Sequence, residues 1–194
     1  RVDLNETVTA ALELLEYRLV KTEDVRVAQE LADPSPVVIG DFQQIVQVLI
    51  NLINNACDAM EATPRYPEGK SLRVSTGVRD DRAFLHIEDN GPGVPPELES
   101  KLFAAFFTTK EPGRGTGLGL SICRHILQEH DGDISLENRP GQGCSFLLDF
   151  PVGAAAELAE LEQLETAQEA TGCAAVPGKR VLVIDDEKDI ADLV

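Results

Sequence analysis

The stretch DFQQIVQVLINLINNACDAM, residues 41–60, decides the reading of this 194-residue chain. Ile45, Leu49, Leu52 and Ala56 recur at steps of three and four, which places them on one face of a helix. Asp41 stands where an N-cap carboxylate would accept hydrogen bonds from the first free N–H groups. Gln47, Asn51, Asn55 and Asp58 step by four, four and three, so they form a polar stripe on a helix whose other side is apolar. Amide oxygens and a carboxylate suit a hard cation such as magnesium, held partly by the phosphates of a nucleotide. A solvated helix face that happens to carry asparagine is the plain alternative.

Upstream of this helix, Leu4, Val8, Leu12, Leu15 and Leu19 predict an amphipathic helix over 4–20, with Asp3 and Glu6 giving a capping-box-like start. Val25–Leu31 alternates as a half-buried strand does, and Pro36–Ile39 is a short apolar run ended by Gly40, so two strands are expected here. Residues 63–70 contain Pro64, Pro67 and Gly69 and read as a loop. Downstream, Leu72–Val78 and Ala83–Glu88 alternate on either side of Arg79-Asp80-Asp81-Arg82, which predicts a hairpin delivering Asp89 to the rim of a sheet. A short helix near 96–102, a Gly- and Thr-rich stretch over 103–119, a helix to about His130, and strands near 133–137 and 144–150 complete the pattern. Helices and strands mix without regular βαβ alternation. The fold class expected is therefore α+β: a two-layer sandwich with one mixed, mostly antiparallel sheet and helices on one face.

Composition narrows the function classes. The chain is 43% apolar and 26% charged, a globular balance, and no run of about 18 apolar residues could cross a bilayer. A net charge of -17 argues against a nucleic-acid or anionic-membrane surface, since either would want a basic face. Cys57, Cys123, Cys144 and Cys173 form no C-x-x-C pair, so they read as reduced, mostly buried thiols and not as a disulfide framework or a zinc site. The start, RVDLNETV, has no basic-then-apolar leader, and the chain reads as a cytoplasmic piece of a longer protein.

Two further motifs carry chemistry. Asp89-Asn90-Gly91-Pro92-Gly93-Val94 follows a strand directly: a carboxylate at a sheet rim can accept a hydrogen bond from an exocyclic amine such as that of adenine, while glycines let a flat ring approach the backbone. A plain Asx turn is the alternative. Gly113-Arg114-Gly115-Thr116-Gly117-Leu118-Gly119-Leu120-Ser121 opens a helix, with Lys110 just upstream. Backbone amides at a helix N-terminus cradle anions, and Lys110 and Arg114 add charge, which suits a triphosphate; the alternative is a flexible surface loop. The spacing is neither G-x-x-x-x-G-K-[ST] nor G-x-G-x-x-G.

Together and in this order, these motifs resemble the catalytic ATP-binding domain of sensor histidine kinases. NLINNACDAM is similar to its asparagine box, DNGPGV to its first glycine box, FAAFFTTK to its phenylalanine box and GRGTGLGLSI to its second glycine box; HDGDISLENRPGQGCSFLLDFP resembles its closing hairpin. The resemblance spans about residues 4–151. It implies the Bergerat-type sandwich shared with type II topoisomerases, heat-shock ATPase chaperones and mismatch-repair ATPases, with ATP bound between the asparagine helix and a lid over about Phe103–Thr116. It implies a protein-histidine kinase using ATP and magnesium. Asn55 would be the magnesium ligand, Asp89 the adenine-binding aspartate, and Lys110 and the Gly115–Gly119 backbone the phosphate contacts; Asn51, Asn55 and Lys110 make the catalytic set. Asp58, Gly91, Gly93, Val94, Arg114, Thr116, Leu118, Leu120 and Cys144 complete the nucleotide-binding set. Hydrolysing relatives typically carry a glutamate where this chain has Asn51, and an amide cannot act as a base at neutral pH, so transfer to a protein side chain fits better than hydrolysis. The rivals are a Bergerat-fold ATPase and a non-catalytic module that binds nucleotide or a partner.

Two positions depart from the family pattern. Cys144 replaces a threonine that supports the adenine aspartate, and Ala105 replaces the proline of the phenylalanine box. None of His86, His125 and His130 lies in an H-[ED]-x-x-[NT] context, so all three are expected to be structural and the acceptor to lie on a helical dimerisation domain of the same protein, before Arg1. Residues 1–152 are read as the catalytic domain and 153–178 as an acidic Ala/Glu-rich linker. Residues 179–194, KRVLVIDDEKDIADLV, are similar to the opening of a receiver domain, in which Asp185 and Asp186 would bind magnesium. The partners expected are that helical domain and a receiver domain or response regulator. No nucleic acid and no membrane contact by this segment are expected, and the location is cytoplasmic whether or not the intact protein is membrane anchored.

Overall fold

The computed structural model describes residues 1–21, 25–61, 69–110 and 115–152, with backbone alone for Val20 and Lys21. The linker at 153–178 and the receiver-like 179–194, with Asp185 and Asp186, lie outside the described residues, as do Cys173 and Arg114. The described residues fall within one compact unit, Arg1–Ala154.

The order of elements is β1 (Val2–Asp3), α1 (Leu4–Lys21), β2 (Val25–Glu30), β3 (Val37–Val38), α2 (Phe42–Glu61), β4 (Lys70–Arg79), β5 (Arg82–Asp89), α3 (Pro96–Glu99), α4 (Gly119–Glu129), β6 (Asp133–Arg139) and β7 (Gly143–Pro151). The main sheet has the order β2-β4-β5-β7-β6 and is antiparallel except between β2 and β4, the mixed and mostly antiparallel sheet expected. Alternation places Leu72 and Val74, Leu85 and Ile87, and Phe146, Leu148 and Phe150 on its inner face. These residues meet Ile45, Leu49, Leu52, Ile53 and Met60 of α2, all at most 1% exposed. Each such burial contributes about 2 kcal/mol before the chain's ordering entropy is counted.

The local signals act where they were expected. Asp41 caps α2 by accepting the Gln44 N–H at 3.0 Å, and Asp3 does the same for Glu6 at 3.0 Å at the start of α1. The β4–β5 hairpin turns through Asp80 and Asp81 at φ 52° and 59°, a left-handed pair that aspartate tolerates. The predicted helix over 96–102 is shorter, ending at Glu99. Beyond it the chain runs in tight turns, with Lys101 N–H on Leu98 O at 3.0 Å, Leu102 on Glu99 at 3.2 Å and Ala104 on Lys101 at 2.9 Å.

One tie unites the far ends of two helices. His130, at the end of α4, donates from Nδ1 to Ile126 O at 2.7 Å and accepts at Nε2 from the Asp41 N–H at 2.9 Å, an arrangement that needs the neutral ring with its proton on Nδ1. Gly40 makes room for it, since a Cβ there would lie 2.3 Å from the imidazole. α2 and α4 therefore run antiparallel, pinned where α2 begins, with Cys123 Sγ 3.9 Å from Val48 O farther along.

Candidate functional site

The inner-face alternation of β5 ends on Asp89, which is only 7% exposed. Its Oδ1 accepts the Gly91 N–H at 2.8 Å and the Cys144 N–H at 3.4 Å. Burial pushes the carboxyl above its usual range, and these two N–H groups only partly offset that. Glycines make the packing possible. A Cβ on Gly91 would lie 2.6 Å from Asp89 Oδ1 and 3.6 Å from Ala59 Cβ, so this loop rests against the last turns of α2. At Gly143, φ is 112° and a Cβ would lie 1.9 Å from the Asp89 carbonyl oxygen, which only glycine allows.

The loop after Asp89 is fastened on both sides. Asn90 turns away from the rim: its Oδ1 accepts the Ser71 N–H at 2.8 Å and its Nδ2 donates to Gly69 O at 2.8 Å. Asn138, on β6, grips Val94 by accepting its N–H at 2.9 Å and donating to its carbonyl at 2.7 Å, and it also donates to Glu99. Gly141 N–H donates to Pro92 O at 2.7 Å, and Gly93, at φ 70°, leaves space for the Arg139 carbonyl. Cys144 stands beside Asp89 as the sequence indicates, its thiol 3.7 Å from Asn138 Oδ1. That thiol is pushed up to about 12, by burial first and then by the Asp89 and Glu99 charges.

On α2 the polar stripe divides. Asn55 Oδ1 accepts from Lys110 Nζ at 3.1 Å, and Lys110 also pairs with the Asp58 carboxylate. Asp58 pairs in addition with Arg18 of α1, whose second guanidinium nitrogen donates to Asn54 Oδ1 at 2.6 Å. Burial works against the Asp58 charge, but the hydrogen bonds and charges of Lys110 and Arg18 outweigh it and hold the carboxyl below its usual range. Gln47 is exposed, one turn before the others. Asn51 has its Nδ2 buried without a hydrogen-bond partner among the described residues. Asn55 and Asp58 already hold a cation, the Lys110 ammonium, so their oxygen donors have the chemistry that magnesium wants.

Residues 103–110 and 115–117 lie between the two halves of the site. The root of the first stretch is packed: Phe103 meets Phe146 edge-on, ring centroids 6.5 Å apart, and the Arg124 guanidinium lies 3.9 Å from the Phe103 ring centroid. Its tip is not, for Phe106 is 76% exposed. Phe107 N–H donates to Ala104 O at 3.2 Å and Phe106 has φ 64°, which makes residues 104–107 a type II turn with Ala105 at its second position. The glycine loop fits under this segment: a Cβ on Gly117 would lie 2.4 Å from the Phe106 carbonyl carbon, and one on Gly115 would lie 2.9 Å from Thr108 Oγ1 and 3.1 Å from Lys110 Cδ. Thr116 Oγ1 accepts the Leu118 N–H at 3.3 Å, and Gly119 and Leu120 open α4.

Asn55, Asp58 and Lys110 are thus brought together, as are Asp89, Gly91 and Cys144, while Gly93 and Val94 line the fastened loop. Arg18, Asn54, Asn138 and Gly143 were missed. Arg18 carried a readable signal, because it continues the buried ridge Val8, Ala11, Leu15 by a further step of three, and a charge in that position needs a partner. Of the three histidines, His86 pairs with Ser145 on the sheet, His125 is exposed on α4 with its Nε2 3.5 Å from Glu129, and His130 is the helix tie.

Comparison with known proteins agrees with this geometry. Residues 40–154 match the family described as histidine kinase-, DNA gyrase B-, and HSP90-like ATPase. Sporulation kinase C of Bacillus subtilis is 34% identical over 149 residues, covering 77% of this chain and 33% of that protein. The chain spans a third or less of the length of the curated relatives it matches. Among solved structures, a nucleotide-free form of the catalytic domain of histidine kinase ThkA superposes with a TM-score of 0.66 at 34% identity, over 78% of this chain and 93% of that one. ThkA in complex with the response regulator protein TrrA gives a TM-score of 0.63 at 31% identity, over 78% and 41% of the two chains. With the family model covering more than half of its residues and the fold matching nearly the whole of a kinase catalytic domain, this chain belongs to the histidine kinase-, DNA gyrase B-, and HSP90-like ATPase family.

Proposed function

We propose that this chain is the ATP-binding catalytic domain of a two-component sensor histidine kinase, passing the γ-phosphate of ATP to a histidine on a separate helical dimerisation domain of the same protein. The observation that carries this is the pairing of one buried carboxylate, Asp89, with a cation-holding cluster, Asn55, Asp58 and Lys110, at opposite ends of one loop-and-helix junction. Asp89 is positioned by backbone N–H groups to accept from an exocyclic amine, which favours adenine over guanine. Asn55 would hold magnesium, which when bound neutralises phosphate charge. Lys110 and the backbone N–H groups of Gly115–Gly119 would orient the phosphates, and the lid over about Phe103–Thr116 would exclude water. Gly91, Gly93 and Val94 would face the base, and Arg114, Thr116, Leu118 and Leu120 the phosphate side.

Asn51 cannot take a proton, so this chain supplies position and charge and leaves the nucleophile to its acceptor. The kinase reading extends to the rest of the chain: residues 153–178 as a linker, and 179–194 as the opening strand of a receiver with Asp185 and Asp186 as its acidic pair. ThkA with its response regulator is the precedent for a receiver-type partner. No helix among the described residues is long and apolar enough to cross a membrane.

The test is transfer from γ-labelled ATP with magnesium, comparing the chain alone with a version extended through the residues encoded upstream of Arg1. Label on a histidine of the extension establishes the assignment. Release of free phosphate with no labelled protein overturns it in favour of an ATPase.

A further inference from the structure

Asp58 is shared between two cations that come from different parts of the molecule. Lys110 reaches it from the lid and Arg18 from α1. Each side chain is about one-third exposed, so the pairs sit where water weakens but does not abolish their attraction. Lys110 has one further oxygen, Asn55 Oδ1 at 3.1 Å, and Arg18 has one on the neighbouring residue, Asn54 Oδ1 at 2.6 Å. The two amides fix the two cations on either side of one carboxylate. Any phosphate that draws on the Lys110 ammonium must therefore compete with Asp58, and Asp58 would be left as a bare anion beside that phosphate were Arg18 not already bound to it.

We propose that Asp58 and Arg18 form a counter-ion exchanger for Lys110: Asp58 holds the lid lysine against α2 and yields it to the nucleotide phosphates, and Arg18 neutralises Asp58 when it does. This rests on the nucleotide-binding reading above. It makes Arg18 a positioning residue that sets phosphate affinity from α1, and it makes Asp58 a competitor of the phosphates and not a ligand to them. A consequence is that affinity depends on α1 staying packed against α2, because the guanidinium crosses that interface.

The experiment is calorimetric titration of the 194-residue chain with magnesium and a non-hydrolysable triphosphate analogue of ATP, and separately with adenosine, for the parent, Asp58→Asn, Arg18→Gln, Arg18→Lys and the double variant Arg18→Gln/Asp58→Asn. Asp58→Asn should tighten the triphosphate analogue about two- to fivefold and Arg18→Gln should weaken it by a similar factor, the range expected for partly exposed ion pairs. Arg18→Lys, which keeps the charge but not the two-nitrogen fork across Asn54 and Asp58, should fall between the parent and Arg18→Gln. The double variant should return to the parent value or better, and adenosine should bind all five proteins alike. Weaker binding by Asp58→Asn would overturn the proposal, since Asp58 would then be contacting the nucleotide or its metal. A loss in Arg18→Gln that persists in the double variant would also overturn it, leaving Arg18 with a packing role alone. A parent that binds neither ligand would overturn the nucleotide reading itself, a result separable from either of these.

Discussion

The two ends of the site are built differently. Around Asp89 the contacts are backbone and amide bonds of fixed geometry: Asn90 on Ser71 and Gly69, Asn138 on Val94, Gly141 on Pro92, and Gly143 against the Asp89 carbonyl. Around Lys110 the contacts are ion pairs between flexible side chains on three separate elements, under a turn whose Phe106 is exposed. One end is set before any ligand arrives, and the other is held by bonds that a charged ligand can exchange. A rigid receptor for the uncharged part of a ligand and a yielding one for its charged part lets binding at the first end organise the second.

The comparison can be broken most severely at Gly143. Gly143→Val places a branched side chain at φ 112° and into the Asp89 carbonyl, and should cost about 3 kcal/mol or more of folding stability, read as a lower midpoint in urea. A midpoint within error of the parent would show the rigid end to be softer than described.

Asp89→Asn sharpens the contrast by separating function from stability. An amide oxygen keeps both N–H bonds while losing the desolvated charge, so adenosine affinity should fall about a hundredfold, while the melting temperature at pH 7 should rise. The pH dependence follows from the raised carboxyl. The folded chain binds that proton more tightly than the unfolded chain, so ionising Asp89 costs stability, a cost present above its folded pKa and gone below the ordinary 3.8. The melting advantage of the variant should therefore shrink as pH falls from neutral toward 4, and adenosine binding by the parent should weaken over the same window.

A smaller break is Asn138→Ala, which removes the grip on Val94 and should cost about 1–2 kcal/mol, with faster hydrogen exchange at the Val94 amide. The smallest effect is at the yielding end. Ala105 occupies the second position of a type II turn, where proline is favoured, so Ala105→Pro should stabilise the chain by about 0.5 kcal/mol and stiffen the lid. An unchanged or lower melting temperature would show that the lid turn is not the native minimum.

How much of this was legible in the sequence follows the same division. Periodicity and capping gave α1, α2, the β4–β5 hairpin and the delivery of Asp89 to a rim, because those depend on neighbours within a few residues. The pairing of β1 with β3, the bridge from Val38 to Val152 and the parallel pairing of β2 with β4 depend on partners 34 to 114 residues apart, which no local period reports. At the site, motif reading reached Asn55, Asp89 and Lys110 but not the residues that hold them. Asn138 stands near the end of β6, just before the Pro140-Gly141 turn where asparagine is ordinary, and its target is 44 residues away. Asp58 was legible as part of the polar stripe, but its partner Arg18, 40 residues upstream, was not, because no local period links the two.

The His130 tie has a mechanical reading. It clamps the start of α2 to the end of α4, so the pair resembles tongs riveted at one end, with Asp58 on one jaw and the opening of α4 on the other. From Phe42 to Asp58 the jaw is about 24 Å long at 1.5 Å per residue, so the tie and the carboxylate stand at opposite ends of one packed arm. Lengthening or shortening α2 by a single turn between Phe42 and Asn51 would carry Asn55 and Asp58 about 5 Å along the helix axis relative to the tie.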